Sequence, residues 1–294
     1  MHSMPADPLD PLVEIIPADR DATSEQGANQ ALPSREDRCW LLSPKHGQRL
    51  EAEIARKLAP AFAEILQQDA DTAERRVTEA VAAFFPIYAQ RPVRNNKGGG
   101  LINDSLCLYV AARLLAPRFI VESGSYQGHS AWLLRQACPH AEIISFDIRL
   151  SQLLHREADV TYCEGDWMER ELPSFDPGTA LAWFDDHINQ ARRLREAQAR
   201  GFRQALFDDN FPVFNLYATG GVPLPTLAMV MDDSLTDGEE IRWMRHGKIF
   251  TYRYEKKHVF EARAVIKRYL PLPDLTSVTR YSPPSGMTYV ELGR

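Results

Sequence analysis

Acids in this 294-residue sequence recur where they could do chemistry. Glu122 opens a loop holding Gly124, Ser125, Tyr126, Gly128 and Ser130. Asp147 follows, then Asp166 between Gly165 and Trp167, then Asp185, Asp186 and His187, and last Asp208, Asp209 and Asn210. Each group comes just after a short apolar run, and open α/β sheets bind ligands beyond the carboxyl ends of their strands. Glycines in the first loop let backbone approach a ligand, and the helix after it offers free N–H groups. Asp147, about 25 residues past Glu122, can accept ribose hydroxyl protons of a nucleoside, each charge-assisted bond contributing about 1.5–3 kcal/mol. The loop lacks the G-x-G-x-x-G spacing of nicotinamide sites, and its acidic start suits a cationic amine better than a pyrophosphate. The plain alternative is a generic turn with solvated carboxylates and helix-capping Asp and Asn.

The elements that must position these residues can be read from hydrophobic spacing. Leu50, Ile54, Leu58, Phe62 and Leu66 recur every four residues and predict a helix. Val77, Val81, Phe84 and Phe85 predict a second that stops at Pro86, and together the two suggest a helical cap over 44–96. Residues 97–100, Lys-Gly-Gly-Gly, read as a flexible join, and Leu101 to Leu115 as a helix. Short strands are predicted at Arg118–Glu122, Ile143–Phe146, Val160–Cys163, Leu181–Phe184 and Ala205–Phe207, with a helix at Ser130–Ala137. Such alternation implies a parallel sheet covered on both faces. Beyond it, Phe250, Tyr252 and Tyr254 at period two face Ile241 and Trp243 across a turn at His246 and Gly247, which predicts an inserted hairpin. His258 to Leu270 reads as a helix, and Ser277–Tyr281 with Met287–Leu292 as a terminal antiparallel pair.

Val121 to Ala131, with its Glu, Gly, small residue, Tyr, Gly and Ser-Ala, resembles the first motif of the class I S-adenosylmethionine (SAM)-dependent methyltransferases. It is most similar to small-molecule O-methyltransferases of the catechol O-methyltransferase type. The resemblance implies a three-layer αβα Rossmann-like fold, with a seven-stranded, mostly parallel sheet whose last strand is antiparallel. It implies that Gly124, Ser125 and Tyr126 line the methionine part of SAM beside Gly128, with Glu122 and Ser130 assisting. Asp147 would hold the ribose, and Asp166 with Trp167 would flank the adenine. Asp186-His187 and Asp209-Asn210 match two later motifs of that family, whose two Asp and one Asn bind Mg²⁺. Hard oxygen donors suit that ion, which would stabilise an acceptor alkoxide or phenolate. The family's lysine, three residues after its Asp, is Asn189 here, leaving Asp186 and His187 as the candidate catalytic residues and His129 as a weaker substitute base.

Composition narrows the classes. At 44% hydrophobic and 25% charged, the chain can bury a sizeable core. A net charge of -6 argues against a protein built to grip nucleic-acid phosphates. The four scattered cysteines form no CxxC pair, which suits a reducing compartment. No run of apolar residues reaches membrane-spanning length, and the first residues lack a signal-peptide pattern, so a cytoplasmic location is expected. Residues 1–43, rich in Pro, Asp, Ser and Gln, are expected to form a flexible arm, 97–294 the SAM-binding domain, and 211–257 an inserted lid. The run of arginines Arg192, Arg193, Arg195 and Arg200 is expected to be a solvated helix face, and Asp185 and Asp208 to point away. The expected activity is O-methylation of a small molecule with Mg²⁺ assistance, with a homodimer possible through cap or lid. The rival readings are a metal-dependent hydrolase or phosphoryl-transfer enzyme using the Asp cluster, and a SAM-fold binding protein without catalysis.

Overall fold

The computed structural model describes residues 43–217, 223–245 and 247–293. The arm expected over 1–43 therefore lies outside the described residues, save Ser43. Two long helices come first, α1 (Pro44–Leu66) and α2 (Ala70–Tyr88). Their expected stripes are the buried faces, Ile54, Leu58 and Phe62 on α1 against Val77, Val81 and Phe84 on α2. The Asp69 carboxylate caps α2 by accepting the Thr72 N–H at 2.8 Å. Pro86 does not end α2, which continues to Tyr88. Its missing N–H removes a bond only in the last turn, and buried Phe84 and Tyr88 hold that turn against the core. The third helix, α3 (Ile102–Leu115), is buried nearly all round and joins α1 and α2 in one apolar cluster.

The sheet follows: β1 (Phe119–Ser123), α4 (His129–Ala137), β2 (Glu142–Asp147), β3 (Val160–Glu164), β4 (Ala180–Phe184), α5 (Gln190–Ala199) and β5 (Gln204–Phe207). These five strands are parallel and agree with the predicted ones to within a residue or two. The connections β2–β3 and β3–β4 each carry only a single 3₁₀ turn instead of a helix. After β5 come α6 (Leu227–Val230), the hairpin β6 (Glu240–Arg245) and β7 (Lys248–Arg253), α7 (Lys256–Ala264), β8 (Ile266–Pro271), α8 (Thr276–Thr279) and β9 (Thr288–Leu292). The seven-stranded order is β3-β2-β1-β4-β5-β9-β8, with β9 antiparallel to both its neighbours.

Alternation along each strand fills two cores. Ile120, Ile143, Leu181, Trp183 and Leu206 face α1–α4, whereas Val121, Ile144, Ala182, Phe184 and Phe207 face the side of α5 and α7. Two C-terminal expectations are corrected. The helix drawn over His258–Leu270 ends at Ala264, and Ser277–Tyr281 is not a strand; β8 takes that place in the sheet. Pairing decides the matter. Lys267 and Arg268 both reach Glu291 on β9, and Arg268 also donates to the Glu64 and Ile65 carbonyls that end α1. No helix among the described residues is long and apolar enough to cross a membrane.

Because α2 shares its core with α3 and the sheet, Phe84→Ala is expected to cost about 3–5 kcal/mol of global stability. Urea unfolding followed by circular dichroism measures this. Loss of α2 signal in a separate, earlier transition would show the helices to be independent of the sheet.

Candidate active site

Strand order reverses between β1 and β4, so a crevice opens beyond their carboxyl ends. In it lies a cleft of about 330 Å³, lined by Gly124, Tyr126, Asp147, Asp166, Asp185 and His187 among others. The loop after β1 is bent sharply to form its floor. Gly124 has φ 110°, and a Cβ there would run into the Asp185 carbonyl, so only glycine lets the β1 and β4 ends approach this closely. Tyr126 also sits in the left-handed region, at φ 42°. Its N–H donates to Asp147 at 2.8 Å, and the other Asp147 oxygen accepts the Arg149 N–H, so the carboxylate is oriented from both sides.

The Lys-Gly-Gly-Gly segment is no loose join. The Tyr126 hydroxyl donates to the Lys97 carbonyl at 3.0 Å, and Gly98 and Gly99 form part of the cleft wall. Behind this wall a narrow notch of about 20 Å³ continues past Gly124 toward Asp104, Ser105, Gln127, His129 and Trp183, room for about one small group. Several polar atoms around it have no hydrogen-bond partner among the described residues, including His129 Nδ1, Gln127 Oε1 and Trp183 Nε1. His129 Nε2 meets the Ser105 hydroxyl at 2.8 Å. Burial, aided by the nearby Arg91 charge, drives the His129 imidazole down to about 3, which disqualifies it as a base at neutral pH.

Negative charge accumulates here. Glu122 is fully buried in mid-sheet, and burial pushes it up to about 7 against hydrogen bonds from Ser130 and Ser145 that favour the anion. Burial likewise raises Asp104 to about 7, with Asp209 adding to the effect. Asp185 and Asp208 are held well above the carboxylate range by burial and by the acids around them. No lysine or arginine among the described residues pairs with Asp104, Asp185 or Asp208.

One arginine does enter, and it was misjudged as surface. Arg193 is 2% exposed and grips Asp166 with two nitrogens, at 2.8 and 3.1 Å, Asp186 at 2.8 Å and Glu196 at 2.6 Å. Asp186 also accepts Ser123 Oγ at 2.5 Å and the Ile188 N–H. Its carboxylate joins β1, β4 and α5 and lines the cleft between Asp185 and His187. Asn210 is likewise engaged by its neighbours. Its amide nitrogen donates to Tyr269 and Thr288, its oxygen accepts the Ala228 N–H, and it is buried. Trp167 is withdrawn from the adenine: it is fully buried, edge-on to Phe184 at 5.3 Å, with its Nε1 on Glu196.

What gathers instead is Asp185, His187 and Asp209, each offering a donor atom within 4.8 Å of the others. His187 Nδ1 stands 3.0 Å from Asp209 Oδ2, and that bond lifts the imidazole to about 9 despite burial. So placed, His187 is held toward its charged form by Asp209. Asn189, where the family's lysine would stand, caps α5 by accepting the Arg192 N–H.

No protein-family model and no curated protein matches the sequence. Solved structures do. The O-methyltransferase TomG from Streptomyces achromogenes, involved in tomaymycin synthesis and in complex with SAM, aligns at TM-score 0.38 and 13% identity over 67% of this chain and 82% of that one. An O-methyltransferase from Bacillus cereus in complex with S-adenosylhomocysteine (SAH) aligns at 0.36 and 13% over 82% and 99%. The CmcI-N160 structure with SAH aligns at 0.31 and 23% over 37% of this chain and 62% of that one. Similarity at this level says nothing of the acceptor. The sheet order, with β9 antiparallel and helices on both faces, defines a three-layer Rossmann-like fold with a seven-stranded, mostly parallel sheet.

The raised Glu122 gives a sign for pH dependence. Its folded form holds a proton from about pH 4.5 to about 7, where the unfolded chain releases it. Stability should thus fall as pH rises through that window, by about 3 kcal/mol at most from this group. Urea midpoints at pH 5 and pH 8 should show the fall, and Glu122→Gln should make it shallower. An unchanged fall in the variant would mean that Glu122 is not a buried proton holder.

Proposed function

We propose that the protein is a SAM-dependent methyltransferase acting on an oxygen of a small-molecule acceptor with the help of a divalent cation. One observation carries the reading. A cleft of about 330 Å³, with an oriented carboxylate at Asp147, ends among buried acids that no lysine or arginine among the described residues pairs with. A dinucleotide or nucleoside phosphate would bring phosphate charge to that end, whereas SAM and SAH bring an ammonium beside a single carboxylate.

In this reading Asp147 accepts the ribose hydroxyls and the loop around Gly124 lies against the amino-acid part. Asp185 and the notch behind Gly124 face the ammonium. Asp166, fixed by Arg193, borders the adenine end, and the 97–100 segment closes the wall against water. When bound, SAM supplies a sulfonium methyl: its carbon–sulfur bond breaks as a bond to the acceptor oxygen forms, and the acceptor proton is released. A cation on the Asp185, His187 and Asp209 donors would stabilise negative charge on that oxygen. The rest of the rate enhancement would come from in-line positioning.

The test is calorimetric titration with SAH of the parent protein and of Asp147→Ala. Loss of the ribose bonds, each about 1.5–3 kcal/mol, is expected to weaken binding by about tenfold or more. Equal affinity in the variant, or no binding by the parent, would sink the assignment.

A further inference from the structure

We propose that the hairpin of β6 and β7 is a membrane-surface anchor, whose outer end enters the headgroup region of a bilayer rich in anionic lipid. The proposal stands apart from the methyl-transfer reading and does not depend on it.

The hairpin is a two-stranded sheet of its own, rooted in the core at one end. Ile241 and Tyr254 at that root are buried, and the Tyr254 backbone bonds to Gly238 and Glu239. Exposure then rises along the strands. Trp243 and Tyr252 are half-buried, Phe250 is 42% exposed, and Met244 and Ile249 are each 64% exposed. Successive side chains of a strand point to opposite faces. The cross-strand pair of Met244 and Ile249 therefore lies on one face, and the pair of Trp243 and Phe250, stacked at 5.5 Å, on the other. Both faces of the outer end are apolar. A rigid protein partner covers one face of such a hairpin, whereas a fluid apolar phase receives both. Large apolar side chains grouped in water mark an interaction surface, and tryptophan is favoured at the headgroup level of a bilayer.

Charge supplies the second half of the argument. Residues 240–257 hold six lysines and arginines against two glutamates, in a chain whose net charge is -6. Lys248, Arg253, Lys256 and Lys257 are exposed and make no salt bridge among the described residues, unlike Arg195 and Arg263, which meet Glu261 and Asp233. An anionic surface attracts this end of the molecule and repels the rest, so charge fixes the orientation in which the apolar tip meets the bilayer. Two such hairpins face to face would repel each other, which disfavours a second copy as the occupant.

The test is sedimentation of the full chain with vesicles of phosphatidylcholine, alone or mixed with phosphatidylserine. Binding is expected to the mixed vesicles and not to the neutral ones, and it should weaken as salt is raised. Lys248→Gln should weaken it about fivefold, the effect of one cation near an anionic surface. Met244→Ser combined with Ile249→Thr should weaken it about tenfold or more, with the thermal transition unchanged because both side chains are exposed. Brominated acyl chains should quench Trp243 fluorescence, and Trp243→Phe should remove that quenching while vesicle binding persists. No binding to the mixed vesicles, equal binding to the neutral ones, full binding by the double variant, or quenching that persists in Trp243→Phe would each overturn the proposal. So would a dimer, seen by light scattering, that the double variant dissolves, since it would give this face to a second copy.

Discussion

Buried negative charge at the carboxyl edge of a parallel sheet is the constraint on which the rest of this structure depends. Five strands of one direction bring their carboxyl ends and following loops to one crevice, and these carry Glu122, Asp147, Asp166, Asp185, Asp186, Asp208 and Asp209. Unpaired charges in such a place are costly and are held neutral or matched by cations. The protein uses both means. On the side of α5 it inserts Arg193, which ties Asp166, Asp186 and Glu196 together. On the side of α3 no such arginine is found among the described residues, and Asp104, Asp185 and Asp208 are left with raised proton affinity. The asymmetry makes one half of the crevice a scaffold and the other a receptor for positive charge.

The scaffold half fixes geometry for the receptor half. Asp186, held by Arg193 and Ser123, lines the cleft together with its neighbours on either side, Asp185 and His187. The same division appears after β5, where Asn210 is bound to Thr288 of β9 and Tyr269 of β8 while Asp209 meets His187. The antiparallel strands that close the sheet thereby take the amide out of the site. The polar network is thus continuous from the sheet's far edge to the crevice.

This division also explains what could be read from the sequence. Strands of four to six apolar residues declare themselves by composition, and the loop from Glu122 to Ser130 declares itself by glycine spacing. Their positions, the two amphipathic helices and the antiparallel last strand followed from local pattern. Which partners each of two adjacent acids would take did not. Asp185 beside Asp186, and Asp208 beside Asp209, are chemically identical pairs, separated only by an arginine seven residues downstream of Asp186 and by backbone in the left-handed region at His187 and Asp209. Arg193 itself carried no signal among its neighbouring arginines. The strand at Ile266–Pro271 was hidden for a related reason, since its identity comes from pairing with β9 and from Glu291, both distant along the chain. Trp167 was placed by family likeness, and its ring belongs to the core under β4.

The central claim is that the uncompensated acids receive the positive end of a nucleoside ligand. Calorimetry comparing SAH with adenosine tests it most directly, since the two share base and ribose and only SAH carries the ammonium. Tighter binding of SAH by about a hundredfold, with proton release near pH 6.5 as raised carboxyls ionise against the ammonium, is the result the account expects. Adenosine binding as tightly as SAH, with no proton released by either, would contradict it.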